Sequence, residues 1–249
     1  MTPGKKIYFA SDFHFGIPTY EKSLEREKLI CKWLDAVKQD AEEIYLVGDI
    51  FDFWYEYKYT VPKGFTRFLG KIAELADAGI KIHFFSGNHD MWMKDYFEKE
   101  LGVMVYHQPI VKTYQQKKFF IGHGDGLGPG DTKYKFLKLF FRSKVCQWLF
   151  SRLHPNLSFA IANAASRKSR LATGHTDEVY LGEEKEWLIQ FCKDYLKKEH
   201  ADFFIFGHRH LVLDVHINSN SRYINLGQWL NGAQFAVFDG TNLILKKLI

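Results

Sequence analysis

Three short apolar runs separated by two helical patterns open the chain, and this alternation constrains the fold more than any other feature. "KIYFASD" reads as a buried strand. "EKSLEREKLICKWLDAVKQD" then places Leu24, Leu29, Ile30, Trp33, Leu34 and Val37 at helical spacing. "EIYLVGD" is a second strand, "FTRFLGKIAELADAG" a second helix with Gly79 just past its end, and "IKIHFFSGNHD" a third strand. A β-α-β-α-β order predicts parallel pairing through right-handed crossovers. Sheets of that kind gather ligands at the carboxyl ends of their strands.

Beyond residue 100 the pattern changes. "VMVYHQPIVKTYQQKKFFIGHGD" reads as strands joined by tight turns. The stretch from about 128 to 175 is helical, aromatic and basic, with breakers at Gly128, Pro129 and Pro155, and is read as an inserted helical lid. "EEKEWLIQFCKDYLKKEH" is a further helix, "ADFFIFGHRH" a strand and loop, and the remainder mostly short strands. The 249 residues suit a single domain, 1–249, carrying this insertion. Aromatic residues reach 17%, a high share that suggests either a bulky core or an exposed aromatic surface that needs a partner.

The ends of the strands carry the chemistry. The first run ends in Asp12-Phe13-His14 and the second in Gly48-Asp49-Ile50-Phe51-Asp52. The third ends in Gly87-Asn88-His89-Asp90, "FFIGHGD" in Gly122-His123-Gly124-Asp125, and "FFIFGHRH" in Gly207-His208-Arg209-His210. Any one of these alone is an ordinary turn, because Asn, Asp and Gly are turn residues. Five in order at strand ends are a ligand set, since Asp, His and Asn suit Mn²⁺, Fe and Zn²⁺. The three cysteines, Cys31, Cys146 and Cys192, are too far apart for a CxxC zinc site and odd in number, so no disulfide framework is expected.

The ordered set D-x-H, G-D-x-x-D, G-N-H-D, G-H-G-D and G-H-x-H resembles the calcineurin-like metallophosphoesterase superfamily. The resemblance implies an α/β fold, a four-layer αββα sandwich, and two divalent metal ions, Mn²⁺ first with Fe or Zn²⁺ as alternatives. Asp12, His14 and His210 would hold one ion, Asn88, His123 and His208 the other, and Asp49 would bridge them. Two ions about 3.5–4 Å apart can clamp a phosphoryl oxygen and activate water. His89 would then be the catalytic acid over the open face, with Asp52 orienting it.

"SDFHFG", "VGDIFDFW", "HGDGLGPGDTKYKFLKLFF" and "IANAASRKSR" are similar to the UDP-2,3-diacylglucosamine pyrophosphohydrolases. That resemblance implies cleavage of the substrate pyrophosphate to UMP and 2,3-diacylglucosamine 1-phosphate, an early lipid A intermediate. The alternative is a metallophosphoesterase of another nucleotide, phosphodiester or nucleotide sugar. The chain departs from the pattern at His89, where proteobacterial members carry Arg. Substrate contacts are expected from Asn88 and His89, from Ser169 and Arg170 for the head group, and from Phe141 and Trp148 for the acyl chains. A cytoplasmic enzyme is expected, since "IYFA" is too short for a signal-peptide core and no run approaches the roughly 20 apolar residues of a membrane span. The basic, aromatic insertion of a lipid-handling family implies peripheral association with the inner membrane. The net charge of +5 is a mild lean toward anionic partners and not the stripe of a nucleic-acid binder. No obligate protein partner is expected.

Overall fold

A computed structural model describes residues 1–129, 132–177, 179–180 and 182–248; the side chains of 132–134, 137 and 169–177 lie outside the described residues. The opening alternation forms β1 (Lys6–Ala10), α1 (Tyr20–Val37), β2 (Ala41–Val47), α2 (Thr66–Asp77) and β3 (Lys81–Phe85). A short helix that the sequence pattern does not reveal, α3 (Tyr96–Leu101), leads to β4 (Met104–Tyr106). The hairpin β5 (Ile110–Tyr114) and β6 (Lys117–Ile121) precedes α4 (Thr132–Arg142), α5 (Lys144–Phe150) and α6 (Pro155–Asp177). Then come α7 (Trp187–Leu196), β7 (Phe203–Phe206), β8 (Val212–Asn218), β9 (Ser221–Leu226), β10 (Gln234–Phe238) and β11 (Leu243–Lys247).

Two sheets result, ordered β11-β10-β1-β2-β3-β4 and β5-β6-β7-β9-β8. β1, β2 and β3 run parallel as expected, β4 from the stretch read as tightly turned strands adds to β3 in parallel too, and β10 joins β1 antiparallel. In the second sheet β6, β7 and β9 are parallel and β5 and β8 are antiparallel edges.

Strand alternation builds the layers. Ile7 and Phe9 of β1 face inward and join Tyr45, Val47, Phe119, Ile205, Ile224 and Phe238 in a core between the sheets. Tyr8 and Ala10 face the other way, into a core with Trp33, Leu34, Phe68, Ile72 and Phe97 from α1, α2 and α3. The outer face of the second sheet packs Phe120, Phe204 and Tyr223 against Leu188, Ile189 and Cys192 of α7. The fold is therefore a four-layer αββα sandwich, with the carboxyl ends of β1, β2 and β3 opening onto one edge.

Helices α4 to α6 lie in the stretch where the lid is expected. They are tied down by the aromatic segment after β2. Phe53 meets Phe150 and Phe159, and Tyr55 meets Phe150 at 4.8 Å. The Tyr55 hydroxyl donates to the Gln147 carbonyl at 2.9 Å. Trp92 donates its indole N–H to the Phe141 carbonyl at 2.8 Å.

Candidate metal centre and active site

Every strand end singled out in the sequence arrives at one buried cluster. Asp12, His14, Asp49, His208 and His210 all have positive φ, between 46° and 68°. This left-handed region costs a non-glycine residue on the order of 1–2 kcal/mol, and such strain collects at functional sites. The glycines beside the ligands are required by close packing. A Cβ on Gly87 would overlap the Asp49 carboxylate, and one on Gly207 would overlap Ser11 and Asp12.

The side chains form two overlapping groups. In the first, His210 Nε2 is 3.3 Å from Asp12 Oδ1, and His14 Nε2 is 3.1 Å from His210 Nε2. In the second, His123 Nε2 is 3.2 Å from Asp49 Oδ2 and 3.1 Å from Asn88 Oδ1, and His208 Nδ1 is 2.8 Å from the same amide oxygen. Asp49 Oδ2 also lies 4.0 Å from His14 Nε2, so its carboxylate stands between the groups. His123 Nδ1 faces the Val47 carbonyl at 2.9 Å, which places its proton there and leaves the Nε2 lone pair for a ligand.

This arrangement fits cations. Asp12 Oδ1 is buried with no hydrogen bond among the described residues, and two imidazole nitrogens face each other at contact distance. Groups of three ligands, Asp12-His14-His210 and Asp49-His123-His208, lie within 4.8 Å of one another, and so does His14-Asp49-His89. The titration behaviour agrees. Burial opposes ionisation of Asp49, yet the neighbouring His123 and His89 hold its carboxyl well below the usual range. Burial also opposes protonation of His14 and His123, but the carboxylates beside them raise the two imidazoles to about 9 and about 10. His208 is pushed down to about 4 by burial and by His123. The cluster thus holds protons where cations would stand, and cation binding would release them.

His89 sits at the rim. Its backbone N–H donates to Asp49 Oδ1 at 2.9 Å, and its ring meets His14 edge-on with centroids 5.1 Å apart. Asp52 meets His89 differently from expectation. The carboxylate Oδ1 is 3.6 Å from His89 Nδ1, beyond hydrogen-bond reach, whereas the Asp52 carbonyl is at 3.1 Å. The carboxylate is engaged elsewhere, by the Ser166 hydroxyl at 3.0 Å.

The expected substrate contacts separate. The side chains of Ser169 and Arg170 lie outside the described residues. Phe141 packs against Trp92, and Trp148 is exposed with Arg152 over its ring at 4.8 Å. Neither lines the cavity of about 480 Å³ that opens beside Asp52, where Phe15, Phe53, Val61, Pro62 and Phe65 face Pro155, Phe159 and Asn163 of α6. A second cavity of about 210 Å³ lies beside His123, with Tyr106, His107, Lys138 and Arg142 in its wall.

Sequence reasoning missed the residues that hold the ligand loops. Asp90 is fully buried and accepts N–H groups from Gly87 at 2.7 Å and Ile50 at 2.8 Å, pinning the end of β3 to the end of β2. Arg209, between His208 and His210, is buried against Glu186, its Nε 3.0 and 3.1 Å from the two carboxylate oxygens. Asp90 could be suspected from its place in G-N-H-D, but no local spacing signals Glu186.

Residues 5–212 match the sequence pattern of the calcineurin-like phosphoesterase family. UDP-2,3-diacylglucosamine hydrolase of Porphyromonas gingivalis is 39% identical, with 98% of this chain and 97% of that protein covered. The protein of the same name from Neisseria meningitidis is 28% identical, with 98% of each covered. Among solved structures, the phosphoesterase YfcE of E. coli is similar at 16% identity and a TM-score of 0.43, over 96% of this chain and 90% of that one.

Proposed function

Because the chain belongs to the calcineurin-like phosphoesterase family, we propose that this metal-dependent hydrolase cleaves the pyrophosphate of UDP-2,3-diacylglucosamine, giving UMP and 2,3-diacylglucosamine 1-phosphate for lipid A synthesis. The observation that supports this substrate is the apolar cavity beside Asp52, walled on one side by α6 and on the other by the segment after β2. An acyl chain gains about 0.8 kcal/mol per buried CH₂, which a soluble nucleotide would not use. The cavity beside His123, with Lys138 and Arg142, suits the anionic nucleotide end.

Asp12, His14 and His210 would hold one divalent ion and Asn88, His123 and His208 the other, with Asp49 shared; Mn²⁺ is the first choice and Fe or Zn²⁺ the alternatives. When bound, the ions supply Lewis acidity and an activated water for displacement at phosphorus. The residues of the chain do the rest. Water adds to one phosphorus and releases a proton to solvent, and the bond to the bridging oxygen breaks. His89 gives its proton to the departing phosphate oxygen. The Asp52 carbonyl holds the Nδ1–H of that imidazole, which leaves Nε2 for the proton that moves.

The enzyme would work as a peripheral protein on the cytoplasmic face of the inner membrane. Phe136, Leu139, Phe140, Val145, Trp148 and Leu149 are exposed on α4 and α5, with Lys144 and Arg152 among them. Apolar and basic side chains together suit an anionic lipid surface. No described helix is long and apolar enough to cross a membrane.

Incubation of the purified protein with Mn²⁺ and UDP-2,3-diacylglucosamine should release UMP, and chelation should stop it. Cleavage of UDP-N-acetylglucosamine with equal efficiency would refute the lipid substrate and favour a general nucleotide-sugar hydrolase.

A further inference from the structure

Helix α6 sends the Ser166 hydroxyl into the proposed reacting centre. Ser166 Oγ donates to Asp52 Oδ2 at 3.0 Å and lies 3.2 Å from His89 Nδ1. The three residues are remote in sequence: Ser166 is 114 residues from Asp52 and 77 from His89. A hydroxyl has one proton to give and two lone pairs to receive with. An ionised carboxylate only accepts, so the Ser166 proton goes to Asp52. Its oxygen is then an acceptor toward His89. The Asp52 carbonyl, 3.1 Å from the same nitrogen, is an acceptor as well. Two acceptors converging on Nδ1 fix the hydrogen of the ring on that atom and fix the plane of the imidazole.

From this geometry we infer that Ser166 is a positioning residue, which makes the orientation of His89 depend on the seating of α6 over the core. The inference rests on the function proposed above for His89. It gives α6 a role beyond covering the cavity. The same helix carries Phe159 and Asn163, which line the apolar cavity, one to two turns before Ser166. A substrate chain that packs under α6 therefore bears on the element that aligns the proton donor. Binding energy from a part of the substrate remote from phosphorus is thereby used at the reacting bond. The arrangement is particular to a chain with imidazole at position 89, since a guanidinium carries donors only and would meet the hydroxyl and carboxylate differently.

The test compares Ser166→Ala and Ser166→Thr in the Mn²⁺-loaded protein. With UDP-2,3-diacylglucosamine, Ser166→Ala should lose about ten- to a hundred-fold in kcat, the range for a misaligned catalytic group. Its KM and its bound metal should stay near the wild-type values. Ser166→Thr keeps the hydroxyl and should recover most of the rate. Nitrogen NMR of the His89 ring in the diamagnetic Zn²⁺-loaded protein, assigned by its loss in His89→Gln, should show the Nδ1–H tautomer in wild type and a tautomer mixture in Ser166→Ala. Unchanged kcat in Ser166→Ala, or Ser166→Thr as impaired as Ser166→Ala, would overturn the inference. An unchanged His89 spectrum in Ser166→Ala would overturn it as well. A wild-type protein that leaves UDP-2,3-diacylglucosamine uncut would refute the substrate and not the positioning, which the spectrum reads without any substrate.

Discussion

The loop that presents His208 and His210 depends on an ion pair it does not display. Arg209 and Glu186 are 2% and 1% exposed, and the Arg209 Nε lies 3.0 and 3.1 Å from the two carboxylate oxygens. The Trp187 ring lies beneath the guanidinium at 4.4 Å, and one of its amino groups donates to the Val179 carbonyl at 3.2 Å. Breaking a buried pair by neutralising one partner costs about 3–5 kcal/mol, because the remaining charge is left uncompensated. Glu186→Gln keeps one acceptor, and the aromatic face remains, so a loss of about 3 kcal/mol is expected. For a chain of this size that corresponds to a fall of roughly 6–12 °C in melting temperature. The two flanking histidines have φ of 68° and 51°, a strained conformation that persists only while the surroundings hold it. Bound metal should therefore fall in the same variant. Calorimetric melting and metal analysis of the purified protein measure both. The double variant Glu186→Leu/Arg209→Met should regain much of the melting temperature, since neither charge remains, without regaining the metal. A Glu186→Gln protein that melts within 2 °C of wild type and keeps its full metal content would show that the pair does not hold the ligand loop.

Asp49→Ala should abolish hydrolysis and bound metal together, since its carboxylate stands between both ligand groups; a variant with wild-type turnover would sink the shared-carboxylate assignment. His89→Asn should keep its metal and lose about 10²–10⁴-fold in kcat, the range for a general acid or charge-stabilising donor; loss of metal instead would make His89 a ligand. Glu43 gives a pH dependence away from the site. Burial opposes its charge, but His83, Tyr114 and Tyr45 hold the carboxyl down at about 2 against an ordinary 4.5. That difference corresponds to about 3 kcal/mol, fully present above pH 4.5 and lost as the pH falls from 4.5 toward 2. Glu43→Gln should lower denaturation stability at neutral pH and converge on wild type in acid, and a gap of constant size across that window would count against the cause given.

The candidate ligands are legible because two local signals coincide: an apolar run sets each strand, and a small residue, Ser11 at the first cluster and glycine at the other four, stands beside the polar cluster that ends it. The pairing of β10 with β1 was not legible, since a strand's neighbour is a tertiary choice between runs of similar composition. Direction within the aromatic helices was hidden for the same reason. In "KLFF" both phenylalanines read alike, yet Phe140 is 55% exposed while Phe141 packs on Trp92. Phe141 and Trp148, expected at the acyl chains, both stand in this aromatic stretch and lie outside the cavity beside Asp52. The cavity beside Asp52 favours Phe53 and Phe159, which come from different parts of the chain. Ser166 and Glu186 escaped notice because each acts on a residue far away in sequence.

The segment after β2 joins substrate selection to chemistry. In "FDFWYEY" Trp54 and Glu56 turn into the core, while Phe53, Tyr55 and Tyr57 meet the inserted segment and the Asp52 carboxylate accepts from Ser166 of α6. Glu56 fixes the inner side by accepting from the Trp54 indole at 3.0 Å and from the Asp95 and Tyr96 N–H groups. Tyr55 and Tyr57 fix the outer side, through the Gln147 and Leu153 carbonyls and the Ser158 hydroxyl. Each of these contacts contributes on the order of 1 kcal/mol, and they act on a backbone only a few residues long. A shift of α5 or α6 therefore cannot be absorbed between Phe53 and Tyr57 without moving Asp52, whose carbonyl orients His89. The αββα core supplies a reaction common to many phosphoesters. In this chain the helices proposed to recognise the lipid are bolted to the segment that carries Asp52, beside the proposed proton donor His89, so recognition and turnover should respond together to any change in that segment.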